Sequence, residues 1–113
     1  MILNLIIPVY NNYDGLVDTI MSLNVYHSRH KVNIMVINDC STDDKNYKHI
    51  INLFKQFYDI KVYKTPYNMG AGNARQYGLD KINDNYVMFI DAGDIIYSPI
   101  EFIKYLNFVE QNP

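Results

Sequence analysis

The sequence predicts an α/β domain, a mostly parallel sheet with helices on both faces. Short apolar runs alternate with stretches of helical periodicity along the whole chain, and alternation of this kind builds a parallel sheet. Two of the runs, "VNIMVIN" (32–38) and "YVMFI" (86–90), are apolar at both parities, as strands covered on both faces are. The 113 residues suit one domain, and a chain of this size can bury roughly two thirds of its unfolded surface.

The elements follow in order. "ILNLII" (2–7) reads as a strand that ends at Pro8, because proline cannot donate to a ladder. Residues 13–26 place Leu16, Val17, Ile20 and Leu23 at helical spacing. After the 32–38 strand, Ser41 is expected to cap a helix whose first turn holds Asp43 and Asp44, where the helix dipole favours negative charge. Tyr47, Ile50, Ile51, Phe54 and Tyr58 supply its apolar stripe. "IKVYK" (60–64) alternates apolar and basic residues, which suits an edge strand protected by lysines. Residues 69–82 are expected to be helical after their glycines, and 86–90 to form a strand buried on both faces. Ser98, Pro99 and Glu101 then open a last helix as cap, first-turn proline and third-position glutamate, with Ile103, Leu106 and Val109 facing inward.

Open sheets of this type bind ligands beyond the carboxyl ends of their strands, near the point where strand order reverses. Four stretches lie there: "PVYNN" (8–12), "DCSTDD" (39–44), "TPYNMGAGNAR" (65–75) and "DAGD" (91–94). Tyr10 offers a flat wall for a base or sugar, with backbone groups around Asn11 and Asn12 free to bond; the plainer reading is a loop with an asparagine N-cap. Asp39 can accept from an imide N–H such as N3 of uracil or thymine, or can be a turn acid. Cys40 reads as a small packed residue. "GAGNAR" lacks the third glycine of a dinucleotide fingerprint, because Arg75 stands there. A glycine-opened helix with Arg75 one turn in suits a diphosphate, and a surface arginine is the alternative. Asp91 and Asp94 are a pair of hard oxygen donors for Mg²⁺ or Mn²⁺, or simply good turn formers. His27, His30 and His49 fall at expected surface positions and form no ligand set; most of the eleven tyrosines read as core packing.

Composition narrows the classes. Ten basic and twelve acidic residues give a net charge of −2, so neither nucleic acid nor an anionic membrane is a general partner. One cysteine excludes an internal disulfide or a cysteine-based zinc site. The apolar opening is too short for a signal peptide or a membrane span. The expected location is cytoplasmic, as a whole protein or as the cytoplasmic part of one associated with a membrane through other segments.

Taken together, "IIPVYNN", "VINDCSTDD", "YNMGAGNARQYGLD" and "YVMFIDAGDIIYSP" resemble, in order and over almost the whole chain, the glycosyltransferase family 2 pattern of the Rossmann-like GT-A fold. The resemblance implies a transferase that moves a sugar from a nucleotide-diphosphate donor, with UDP the expected nucleotide, to a glycan, lipid or protein acceptor, usually with inversion. It places Pro8, Val9 and Tyr10 along the base, with Asn12 nearby. Asp39 would lie on the imide, Asn68 and Arg75 toward the donor, and Asp91 and Ala92 beside it. It assigns Asp94, with Asp91, to a divalent cation, Mn²⁺ or Mg²⁺, that bridges the diphosphate.

This chain departs from that pattern at Gly93, where an acid usually contacts the ribose, and at Gln76, often asparagine. The acceptor half and its general base, a later carboxylate, are expected beyond Pro113, so no catalytic base is assigned here. A GT-A domain shortened in this way would expose apolar surface and could form a homodimer. The alternative is a non-catalytic nucleotide-binding or assembly domain on the same fold. A receiver-like or flavodoxin-like domain shares the alternation but wants acids after the first and third strands and a late lysine.

Overall fold

The computed structural model describes residues 1–84 and 86–113. Eight elements alternate: β1 (Ile2–Val9), α1 (Tyr13–Leu23), β2 (Lys31–Asn38), α2 (His49–Phe54), β3 (Asp59–Lys64), α3 (Ala71–Leu79), β4 (Val87–Phe89) and α4 (Pro99–Gln111). The four strands are all parallel, in the order β3-β2-β1-β4. Strand order therefore reverses between β1 and β4.

The helices cover both faces, as expected. Successive side chains of a strand point to opposite faces, and β1 shows it. Leu3, Leu5, Ile7 and Val9 join Leu16, Ile20 and Leu23 of α1, Ile50 and Phe54 of α2, and Phe102 and Leu106 of α4 in the larger core. Ile6 turns the other way and meets Ile37 and Ala74 under α3. That second layer is thin because α3 lies close to the sheet. A Cβ on Gly78 would stand 3.1 Å from Ile6 Cγ2 and Ile37 Cγ1, so the approach depends on glycine.

Three expectations about elements are corrected. Pro8 does not end the first strand; it pairs with Ile37 inside β1, which runs on to Val9. Even-numbered residues of β1 bond toward β4, as Asn4 N–H does to Tyr86 O, and as Ile6 O does in accepting from Ile90 N–H. Pro8 shares that parity, and the β1–β4 pairing stops at Ile6–Phe89, so its missing donor has no ladder partner to fail.

Ser41 does not cap a helix. α2 begins only at His49, because the amides of Thr42 and Asp43 are taken by the Asn11 side-chain oxygen, at 2.7 and 3.1 Å. Third, β4 is not buried on both faces. It is a three-residue edge strand whose residues are half-buried or exposed, with Phe89 42% exposed.

Other boundaries move less. α1 stops at Leu23 because Asn24 adopts a left-handed φ of 42°. β3 is the lysine-bearing edge strand foreseen. α4 opens as read, with Ser98 Oγ accepting from Glu101 N–H at 3.2 Å and Pro99 in the first turn; Phe102 joins Leu106 in its buried stripe, while Ile103 and Val109 are half-buried.

One histidine departs from the surface expectation. His30 is 3% exposed, bonded through Nε2 to Asn107 Oδ1 and through Nδ1 to the Met1 ammonium. Most tyrosines pack, as read: Tyr47 and Tyr58 are buried and Tyr13, Tyr63, Tyr77 and Tyr86 lie half-buried against the two core clusters, while those at 10, 26, 67, 97 and 105 are exposed.

Candidate functional site

A cleft of about 180 Å³ opens at the carboxyl ends of β1 and β4, at the reversal of strand order. Its walls are Pro8, Val9, Tyr10, Asn12, Asp39, Ala71, Asp91 and Ala92. Seven of these were expected from sequence. Ala71, the first residue of α3, was not. It lies in the wall because Gly70, at φ 87°, swings the chain into a helix start with no side-chain cap, and its only sequence signal was its place between the two glycines.

The loop after β1 is held rather than free. Asn11 N–H donates to Ser41 Oγ at 2.9 Å, and Asn12 N–H to the Tyr47 hydroxyl at 3.1 Å. Tyr47, read from sequence as packing, donates a hydrogen bond in turn to Asp43 Oδ2 at 2.7 Å. Burial pushes its pKa up. Asn12 is the N-cap of α1, accepting from Gly15 N–H at 3.1 Å, and its amide reaches Ala92 O at 3.3 Å. Asn12 is thus the N-cap of the plainer reading and also stands in the cleft wall. Tyr10, 45% exposed, keeps an open ring in the cleft wall.

Asp39 is buried at 3% exposure. Oδ1 accepts from Thr65 Oγ1 at 2.9 Å and Met69 N–H at 3.0 Å, and Oδ2 from Gly70 N–H at 2.9 Å. The carboxylate thus ties the β3–α3 loop to the end of β2. A carboxylate has about four acceptor sites, so capacity remains on Oδ2 for one more donor.

Asp91 and Asp94 flank a β-turn. Asp94 N–H donates to Asp91 O at 3.0 Å, and Gly93 takes φ 102°. A turn with positive φ at its third residue favours glycine, so Gly93 has a conformational reason to be there. Asp91 pairs with Arg75, NH2 to Oδ1 at 2.6 Å, with side chains 56% and 34% exposed. The carboxylate of Asp94 is exposed and has no hydrogen-bond or ion-pair partner among the described residues. No group of three or more histidine, cysteine, aspartate or glutamate residues converges among the described residues. Asp91 and Asp94 stand three residues apart on this turn, and carboxylate oxygens are the donors that Mg²⁺ takes, one or two at a time, beside substrate phosphates. Arg75, Asn68 and Asp94 lie outside the cleft walls. Arg75 touches them through Asp91; Asn68 is exposed, its Oδ1 accepting from Gly70 N–H at 3.3 Å. Gln76 bonds Asp80 within α3 and takes no part.

The fold is that of the GT-A glycosyltransferases. Crystallised TarS 1–349 of S. aureus, in complex with UDP-GlcNAc, superposes with a TM-score of 0.80 at 24% identity, covering 98% of this chain and 32% of that one. A mannosyltransferase of Pyrobaculum calidifontis, in complex with GDP-Man and Mn²⁺, superposes with a TM-score of 0.78 at 13% identity, covering 92% and 31%. The chain belongs to glycosyl transferase family 2, whose profile matches residues 4–113. An uncharacterized glycosyltransferase of Haemophilus influenzae is 34% identical over 98% of this chain and 43% of its own length. The poly-beta-1,6-N-acetyl-D-glucosamine synthase of Staphylococcus epidermidis is 31% identical over 98% and 26%. The chain thus spans less than half of these relatives. No helix among the described residues is long and apolar enough to cross a membrane.

Proposed function

We propose that these residues bind the donor of a glycosyl transfer, a UDP-sugar with Mn²⁺ or Mg²⁺, and that the complete protein passes the sugar, with inversion, to a glycan, lipid or protein acceptor. The observation that carries this is the meeting of Tyr10, Asp39, Ala71 and Asp91 in one cleft at the reversal of strand order. Tyr10 and Pro8 would lie along the base, with the free capacity of Asp39 Oδ2 directed to its imide N–H. The uncapped start of α3 offers backbone N–H groups suited to phosphate oxygens.

Asp94 and Asp91 would hold the divalent cation, which supplies positive charge for the diphosphate as it leaves. Arg75 already pairs with Asp91. Because both members of its ion pair are a third or more exposed, an exposed pair of this kind costs little to open. Arg75 can therefore exchange Asp91 for a phosphate oxygen, an acceptor to which guanidinium bonds bidentately. The general base is assigned to none of these residues. The relatives' names point to a hexosamine as one donor sugar to try. Calorimetric titration of the 113-residue chain with UDP tests the reading. Binding tighter in Mn²⁺ than in EDTA is expected, and a folded sample that takes up UDP in neither would overturn it.

A further inference from the structure

We infer that Thr19 is a positioning residue for the metal-binding acid Asp94, an inference that rests on the donor-and-cation reading above. The Asp94 carboxylate has no side-chain partner among the described residues, so only its backbone aims it. That backbone is held from α1. Thr19 Oγ1 donates to Asp94 O at 2.7 Å and accepts from Gly93 N–H at 2.9 Å. Gly93 N–H also lies 3.1 Å from Gly15 O, and Ile96 N–H donates to Ser22 Oγ at 3.0 Å. One polar edge of α1 therefore receives residues 93–96 as a strand would receive a neighbour.

Thr19 is the buried member of that edge, at 0% exposure, set among Leu16, Ile20 and Leu23. A hydroxyl buried in an apolar stripe must be satisfied or it destabilises. Both of its bonds go to the peptide groups on either side of the Gly93–Asp94 link. Valine in its place would keep the shape and lose both bonds. Gly93 N–H would retain Gly15 O, Asp94 O would have no donor, and the turn would be fixed on one side only. Groups that orient a metal ligand typically change metal affinity about 10- to 100-fold when removed.

The test compares UDP affinity in Mn²⁺ with that in EDTA for the 113-residue chain and its variants, alongside melting curves. Thr19→Val should reduce the Mn²⁺-dependent gain at least about 10-fold and leave metal-free UDP binding near wild type. Thr19→Ser, which keeps the hydroxyl, should restore the gain. Ser22→Ala, which frees Ile96 N–H and removes the Ser22 hydroxyl's bond to Thr19 O but leaves both bonds of Thr19 Oγ1 to the Gly93–Asp94 turn, should leave it unchanged. If Thr19→Val does not fold, Thr19→Cys, with its weak hydrogen bonding, takes its place. A folded Thr19→Val or Thr19→Cys with the wild-type gain overturns the inference while the donor reading stands, as does a Thr19→Ser that loses the gain equally, since the methyl packing would then matter. A wild-type chain that binds UDP equally with and without Mn²⁺ overturns the cation reading and this inference with it.

Discussion

The two acidic sides of the cleft are built on opposite plans. On the β2 side Asp39 is buried, and all three of its hydrogen bonds fasten the chain to itself. On the β4 side Asp91 and Asp94 are exposed on a turn beside a three-residue edge strand, and the sheet does little to hold them. The turn is fixed instead by polar contacts from α1, through Asn12, Gly15 and Thr19. A buried carboxylate with one acceptor site left shapes a wall and can take one neutral donor, whereas an exposed one with oxygens to spare can take a cation. Under the proposed function, the difference suits the two sides to different ends of a nucleotide diphosphate, the base toward Asp39 and the phosphates toward Asp94.

Substitutions should separate the two plans. The largest effect is expected on the buried side. Asp39→Ala removes the acceptor shared by Thr65, Met69 and Gly70. Thr65 Oγ1 can turn to Tyr67 O and Gly70 N–H to Asn68 Oδ1, but Met69 N–H loses its partner and the loop its charged tie, for an expected loss of about 2 kcal/mol. Urea denaturation should show that loss, and retention of full stability would mean that the β3–α3 loop is held by something other than Asp39. The exposed side should respond through backbone strain alone. A Cβ on Gly93 has room, its nearest neighbour being Asn12 Nδ2 at 3.4 Å, but the left-handed φ remains. Gly93→Ala should therefore cost about 1 kcal/mol, measured the same way; no loss would argue that the turn relaxes freely.

The smallest effect lies outside the cleft, where β1 meets α4. Hydrogen bonds from the Met1 ammonium and then from Arg29 hold Glu110 at about 2, below its ordinary 4.5. A depressed folded pKa means the contribution is present above about 4.5 and is lost as pH falls through about 2. The gap in melting temperature between wild type and Glu110→Gln should therefore close over that window; a gap independent of pH would deny the ion pair any part in docking α4.

Much of the fold was legible because burial leaves marks in sequence. β1 and β2, covered on both faces, lose the period-two pattern, and α1 and α4 keep a 3.6-residue stripe. The elements that escaped are those settled by distant partners. α2 starts late because Asn11, some thirty residues earlier, binds the amides that a helix cap would have used. Pro8 is tolerated inside β1 only because β4 stops short of it, and no local pattern reports that. The cleft walls were nearly all foreseen through the family resemblance, which marks residues that touch a ligand. Thr19, Tyr47 and Thr65 were missed because they hold the residues that would do so; only Thr19 carries a signal, a hydroxyl at a position of α1 that periodicity makes apolar. The pairing of Arg75 with Asp91 was also out of reach, since spacing along the chain does not show which acid an arginine meets.

The central claim is that Asp94 serves the cation and not the fold. The most direct measurement is the UDP affinity of Asp94→Asn, in Mn²⁺ and in EDTA, beside its melting temperature. Wild-type melting, unchanged affinity in EDTA and at least a roughly tenfold loss in Mn²⁺ are expected, since even the groups that merely orient a metal ligand carry that much. Wild-type affinity in Mn²⁺ would contradict the claim.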